Sequence, residues 1–262
     1  MTVPTTGTGT TTRERPVGTM DGLLNGVVMR LTLRATMSRK RALLFALPAV
    51  ILIGISALLT KTAHSTAWPP EVLGTVGLLV VALTSLLIGG SVLGGEMEDG
   101  SIVHLLATPV SRRSVVLSKY VVAVLLTWVF AAVPEYVAGA IAKGGGNRLA
   151  IGLLVGALAG AAIYNALFVL LTAAFSPGRA LAASLLYVLL WEGLLASLVP
   201  GVGLLSVEHY SLAIANSIAH NSDLHANLNI GTGIGMGVAV TVVALLLAVI
   251  RLSQFSVKGD VA

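Results

Sequence analysis

The chain has no cysteine, which excludes disulfides, thiolate zinc sites and cysteine nucleophiles. Charge is the second scarcity: Asp, Glu, Lys and Arg make up 10% of the 262 residues, against about 25% in a soluble globular domain. No Gly-x4-Gly-Lys-Ser/Thr loop occurs, so the usual cradle for ATP phosphates is missing. No His-Glu-x-x-His pair lies in an apolar run, and every histidine falls in a loop or tail. An intramembrane metalloprotease or serine enzyme would need such groups at membrane depth.

What is present is apolar. Hydrophobic residues reach 56% and the mean hydropathy is +0.94, so the chain reads as an all-α polytopic membrane protein without a large soluble domain. Six runs approach the roughly 20 apolar residues that cross a 30 Å hydrocarbon core. They cover about 42–60, 72–94, 115–141, 149–175, 180–199 and 230–250. Pro48 and Pro134 fall inside spans, where neighbouring groups satisfy a freed carbonyl. Gly152, Gly156 and Gly160 recur at four-residue steps in the fourth run, a spacing that permits close helix approach. Ser176-Pro177-Gly178-Arg179 reads as a tight turn before the fifth.

Residues 1–20, rich in threonine and glycine, read as a disordered cytoplasmic tail without the apolar core of a signal peptide. The stretch from Asp21 to Met37 then puts Leu24, Val27, Val28, Leu31 and Ala35 on one helical stripe, and Asp21, Asn25, Thr32 and Thr36 on another. With Arg30 and Arg34 beside the apolar stripe, this is an interfacial helix on the membrane or a cytosolic helix packed on a partner. An N-terminus inside the cell places thirteen cations inside: Arg13, Arg15, Arg30, Arg34, Arg39, Lys40, Arg41, Arg112, Arg113, Lys119, Arg179, Arg251 and Lys258. Only Lys61, Lys143 and Arg148 then lie outside, and this bias sets both termini in the cytoplasm.

Four features are candidates for function. The first is a charged island between the second and third runs, opening with Glu96, Glu98 and Asp99, where a helix N-terminus favours negative charge. Ile102, Val103, Leu105 and Leu106 would give a helix over about 96–108 an apolar side, Pro109 would stop it, and Ser111 would cap the next. Such a helix is a peg for a soluble partner, or the segment is a plain amphipathic loop. The second is a set of polar groups within spans, Glu135, Asn165 and Glu192, candidates for a translocation path or gate because intramembrane charge is costly. Glu135 paired with Lys143 near the outer interface, and Glu192 bonded to a neighbouring helix, are the structural alternatives. The third is 200–229, free of Lys and Arg, either re-entrant or an ordinary external loop. The fourth is His209, His220, Asp223 and His225, whose spacing matches no recognised metal site.

The glutamate closing a span, Asp99-Gly100-Ser101, Leu105-Leu106-Ala107-Thr108-Pro109-Val110-Ser111-Arg112 and Lys119 together resemble the permease subunits of ABC-2-type transporters, among them multidrug- and antibiotic-export permeases. The six-span topology with a preceding interfacial helix is similar to the same family (type V exporter-like). The resemblance implies that Glu96 to Asp99 and Ile102 to Leu106 face a separate ATP-binding subunit, with Pro109 to Arg112 forming the re-entry to the third span. It also implies short outer-leaflet helices before the last span. Its expected setting is a bacterial plasma membrane, with two ATPase copies, a second permease (a homodimer or a close relative) and membrane lipids as partners, and no nucleic acid. The chain itself would hold no cofactor or metal, ATP and Mg belonging to the ATPase. The expected task is ATP-driven export of a drug, antibiotic or lipid; an ATP-independent channel or scaffold is the rival reading.

Overall fold

The computed structural model describes residues 24–62, 70–98, 111–143, 148–198, 201–220, 224 and 228–254. Among them every regular element is helical. Helix α1 (Gly26–Thr36) is short and capped by Asn25, whose side chain accepts from the Val27 and Val28 amides. Helix α2 (Arg39–Thr62) follows, then α3 (Pro70–Glu98), with proline at its first position, where the missing N–H costs nothing. At 29 residues α3 is roughly 43 Å long, well over the hydrocarbon thickness.

Helix α4 begins as an α-helix over Arg112–Thr127, widens into a π-helical stretch at Trp128–Ala132 and resumes over Val133–Lys143. Ser111 caps it, accepting from the Ser114 amide at 3.2 Å. Pro134 supplies a reason for the widening. It has no N–H for the Phe130 carbonyl, and the preceding Val133 amide reaches back five residues to the Trp128 carbonyl. Helix α5 (Arg148–Ala174) is regular. Helix α6 starts at Pro177–Leu186, turns π-helical over Tyr187–Leu195 and ends at Ala196–Leu198. A 3-10 turn at Val202–Leu205 leads to α7 (Val207–Ala219), closed by His220 in the left-handed conformation. Helix α8 (Ile230–Gln254) is last.

Six of these helices are long and apolar enough to cross a membrane. They fall into two groups. In α3, α4 and α5 between 61% and 67% of the apolar window is buried, whereas in α2, α6 and α8 the share is 22%. Three helices form a centre and three flank it. The flanking helices turn Leu43, Leu47 and Val50, Leu185, Leu189 and Leu194, and Val238, Val242 and Leu246 outward. An apolar belt of this kind suits lipid and not water.

Side-chain bonds to carbonyls tie the centre together. Trp128 Nε1 donates to Leu158 O at 3.1 Å and Tyr120 Oη to Ala162 O at 3.2 Å, joining α4 to α5. Ser56 Oγ donates to Ala138 O at 2.9 Å, joining α2 to α4. Tyr164 and Phe168 stack at 6.0 Å in the α5 core, and Phe168 meets Tyr187 of α6 edge-on at 6.4 Å. On α1 it is the polar stripe, Asn25, Thr32 and Thr36, that is buried, along with Val28, while Leu24, Val27 and Leu31 are exposed. The Asn25 amide donates to Ser118 Oγ of α4 at 2.8 Å. The outward apolar stripe with Arg30 and Arg34 beside it fits a helix lying in a membrane interface.

Candidate functional site

The polar groups predicted within the spans occupy three separate places. The richest is built where α6 meets α7. Glu192 is buried, and its two carboxylate oxygens receive four hydrogen bonds. Tyr187 Oη donates at 2.8 Å, Ser206 Oγ at 2.5 Å, the Val207 amide at 2.9 Å and the Glu208 amide at 3.4 Å. The local chain explains the first of these. On an α-helix of 3.6 residues per turn, positions five apart point about 140° from each other. The π-helical turns over Tyr187–Leu195 bring Tyr187 and Glu192 onto one side.

The other three donors belong to the entry of α7. The opening amides of any helix lack partners, and here the entry is buried, with Ser206, Val207 and Tyr210 all at 1% exposure or less. Ser206 Oγ takes the His209 amide at 3.3 Å while donating to Glu192. The carboxylate satisfies the two amides before it. A negative group at a helix N-terminus is also favoured by the helix dipole. Trp191 Nε1 donates to Leu205 O at 3.2 Å, and Tyr210 Oη to Leu204 O, closing the turn.

Helix α7 lies along one end of α5, over the glycine stripe. A Cβ on Gly152 would stand 2.5 Å from Ala215 O, one on Gly156 2.7 Å from Ser211 O, and one on Gly160 2.7 Å from Ser211 Oγ. Only glycine allows this approach. The order of contacts shows that α7 starts deep beside Gly160 and climbs toward Gly152, near the end of the bundle that holds Arg148. Over its described residues the segment 200–229 therefore folds back against the bundle, with α7 packed along the first half of α5. Glu208, next to the Glu192 cluster, accepts a hydrogen bond from Thr75 of α3. Burial first, and then the Glu192 charge, push its carboxyl up to about 7. His209 is moved the other way by burial, with Glu192 opposing, and its ring packs on Gly203. His209 and His220 stand at opposite ends of α7, Asp223 and His225 lie outside the described residues, and no group of three metal-ligating side chains occurs among the described ones.

The second place is the middle of the bundle. Asn165 of α5 is fully buried, and its Nδ2 donates to Thr127 Oγ1 at 2.9 Å, to Ala161 O at 2.8 Å and to Ser85 Oγ at 3.3 Å. It pins α3, α4 and α5 together. The third is Glu135 of α4, fully buried, with neither oxygen bonded. Its side chain fills the space beside Gly77 of α3, where a Cβ would come within 2.6 Å of Oε1. Among the described residues no hydrogen bond joins Glu135, Asn165 and Glu192 to one another. Sequence reading missed Tyr187, Ser206, Glu208, Ser85 and Thr127; of these only Ser206 carried a signal, as an N-cap residue before an apolar run.

Around the charged island, Glu96 and Glu98 fall in the last turn of α3, which runs on through Glu98 without a break at Gly94 or Gly95; they close that helix, where the dipole does not favour acids, and do not open a separate one at 96 as expected. Asp99, Ile102, Val103, Leu105, Leu106 and Pro109 lie outside the described residues. Arg112 opens α4, and its guanidinium donates to Leu252 O of α8 at 2.5 Å. Lys119 is fully buried, and its Nζ donates to Val92 O of α3 at 2.7 Å.

A groove of about 250 Å³ opens between α2 and α6 at the end of the bundle that gathers Arg39, Lys40, Arg41, Arg112 and Arg179. Phe45, Leu86, Leu87 and Leu181 give it apolar walls, and Arg41 stands at its mouth.

The comparisons agree with this architecture. A family model described as ABC-2 family transporter protein matches residues 37–207, from the start of α2 to the first residue of α7. No curated protein matches the chain. The family match takes in five of the six candidate spans and well over half of the sequence, so the chain belongs to the ABC-2 family of transporter proteins, as a multi-pass permease component of an ABC transporter.

Proposed function

We propose that this permease exports an amphipathic compound, a drug, antibiotic or lipid, from the cytoplasm or the inner leaflet of a bacterial plasma membrane. The observation that carries the reading is the groove between α2 and α6. Its walls are apolar, its mouth holds Arg41, and it lies at the basic end of the bundle. Basic ends face the cytoplasm, which puts both termini inside and the groove at the inner leaflet. An acyl chain or apolar ring system fits between Phe45 and Leu181, with a polar or anionic head at Arg41. Few fixed charges are exposed along the spans, which disfavours a small hydrophilic ion.

Energy comes from a separate ATPase that binds ATP and Mg, because the chain lacks a phosphate loop. Two ATPase copies serve two permeases, a homodimer or a close pair. The docking element is the stretch about 96–108, with Glu96, Glu98 and Asp99 and the apolar residues Ile102, Val103, Leu105 and Leu106 against the ATPase and Pro109 to Arg112 leading into α4. The roughly 43 Å length of α3 supports this, since such a helix projects past the hydrocarbon core.

Co-expression with its cognate ATPase tests the reading. The pair should co-purify, and transport of a fluorescent amphiphile in proteoliposomes should require ATP. Reversing Glu98 and Asp99 to lysine should lose the ATPase while the permease still inserts. ATP hydrolysis by this chain alone, or ATP-independent flux, would overturn the proposal.

A further inference from the structure

Glycine in a membrane helix commonly marks the place where another helix comes close. In α3, Gly77 and Gly89 follow that rule, since a Cβ there would run into Glu135 or Asn165. Gly90 breaks it. A Cβ on Gly90 would meet no atom within 4 Å, and the residue lines the groove between α2 and α6. Gly178, in the first turn of α6, lines the same groove, and the space at its Cβ is equally empty. At Gly94, one turn beyond Gly90, the neighbour is the Thr172 methyl at 3.7 Å. The width of the groove is set by side chains that α3 and α6 do not have.

The interior suits hydrocarbon. Of the three hydroxyls on its lining, Ser91 donates to Ile88 O at 2.9 Å and Thr172 to Phe168 O at 2.7 Å, each within its own helix, and Ser184 is 4% exposed. Charge enters at one point. Among the described residues Arg41 is the one ionisable side chain on the lining, and no acid stands there. A guanidinium has five N–H donors in a fork that matches phosphate and carboxylate, and Arg41 gives one of them to Ala35 O at 3.3 Å. Size narrows the choice further. At about 250 Å³ the groove is smaller than the roughly 300–1,000 Å³ of pockets that enclose a drug-sized molecule. One slender chain fills it, and a drug-sized ring system is too large to be enclosed.

We propose that the groove selects an anionic lipid of the inner leaflet, with one acyl chain laid over Gly90, Gly94 and Gly178 and its phosphate or carboxylate on Arg41. Gly90 and Gly178 determine specificity by keeping the bed clear for the chain. Arg41 determines the sign of the head. This inference rests on the permease reading and narrows its substrate class: zwitterionic lipids and polycyclic cations are the poorer ligands.

Photolabelling of the full chain in nanodiscs tests the site without ATP. The probe is phosphatidylglycerol with a diazirine in one acyl chain, and labelled peptides are read by mass spectrometry. Label should fall around Phe45, Gly90 and Leu181. The matched phosphatidylcholine probe should label about fivefold less, the size of one exposed ion pair, and excess rhodamine 6G should not displace the label. R41Q should erase that preference and R41K should keep it. G90L and G178L grow into empty space from opposite sides, so each should unfold at the native temperature yet lose label severalfold; if one does not accumulate, the other carries the test. In proteoliposomes the permease–ATPase complex should move fluorescent phosphatidylglycerol with ATP, and G90L should slow it severalfold. Equal labelling by the two probes, displacement by rhodamine 6G, or full labelling in folded G90L or G178L overturns the proposal. So does ATP-driven flux of rhodamine 6G with none of phosphatidylglycerol. Selective labelling in a complex that moves no amphiphile with ATP counts against the permease reading instead.

Discussion

Glu192 on α6 and Glu135 on α4 are both buried acids in apolar helices, and the protein treats them in opposite ways. Glu192 collects four donors from three directions, two of them the amides that open α7. Glu135 has no bonded oxygen and fits against Gly77 by shape. Depth in the membrane was the property they shared in the sequence, and it says little about what either does. The number of donors and the element that owns them decide it. Glu192 joins two parts of the chain through its charge. Glu135 occupies space between two central helices, and among the described residues no donor reaches its oxygens.

The sharpest way to break that contrast is to remove Glu192. E192A leaves the Val207 and Glu208 amides and the Ser206 and Tyr187 hydroxyls without their acceptor. Breaking a buried charged group away from its partners costs about 3–5 kcal/mol. Thermal unfolding in nanodiscs should show a large drop, and hydrogen exchange should rise first in α7.

Glu208 gives an effect nearly as large, read through pH. An unfolded glutamate titrates near 4.3, and here burial and then Glu192 lift it to about 7. The folded state therefore keeps the proton over more of the range, so the stability of this end is greatest at low pH. It falls as pH rises from about 4.5 through 7 and is flat above, a span on the order of 3 kcal/mol. Tyr164, Tyr187, His209 and Tyr210 face the same cluster and stay in place when E208Q is made. Protection factors of the α7 amides, with the intrinsic pH dependence of exchange divided out, should fall from pH 5 to pH 8 in the native chain, and E208Q should flatten that fall.

The Glu135 side yields smaller numbers. G77A pushes a methyl group onto the Glu135 carboxyl and should cost about 1–3 kcal/mol, as overpacking does. Adding E135A to G77A should recover much of that loss, because the intruding atoms are gone; a double-mutant cycle measures the coupling. E135Q keeps the shape and should change stability by no more than about 0.5 kcal/mol, with export at the native level. A strong export defect in well-folded E135Q would erase the distinction drawn between the two acids.

Much of the fold was legible in the residues. The six apolar runs, the Ser111 cap and the glycine stripe of α5 follow from length, capping and spacing, whereas the turn expected over Ser176–Arg179 shrinks to the break at Ser176, with Pro177 to Arg179 opening α6. Which helices are central was not legible, for a physical reason. In lipid the outer face of a helix is as apolar as its inner face, so α3 and α8 look alike until packed. The direction of α1 had the same difficulty. Its polar stripe faces the protein, where Asn25 and Ser118 meet, and its apolar stripe faces outward. The partners of Glu192 escaped notice because Ser206 and Val207 sit fourteen and fifteen positions away, across a turn that no periodicity announces. Nor does any proline mark the π-helical turns of α6, whereas Pro134 marks those of α4. Asn165 was visible as a polar residue in mid-span, but Ser85 and Thr127 on two other helices were not visible as its partners.

Helix α3 runs unbroken from Pro70 to Glu98, and its two ends belong to different sites. Thr75 bonds Glu208 near the first end, and the charged island begins where the helix stops. The distance between Thr75 and Glu98 along the axis is roughly 34 Å. A rod of that length tilted by about 5° about one end carries the other about 3 Å, enough to part a hydrogen bond. With no break between its ends, α3 has the proportions of a lever.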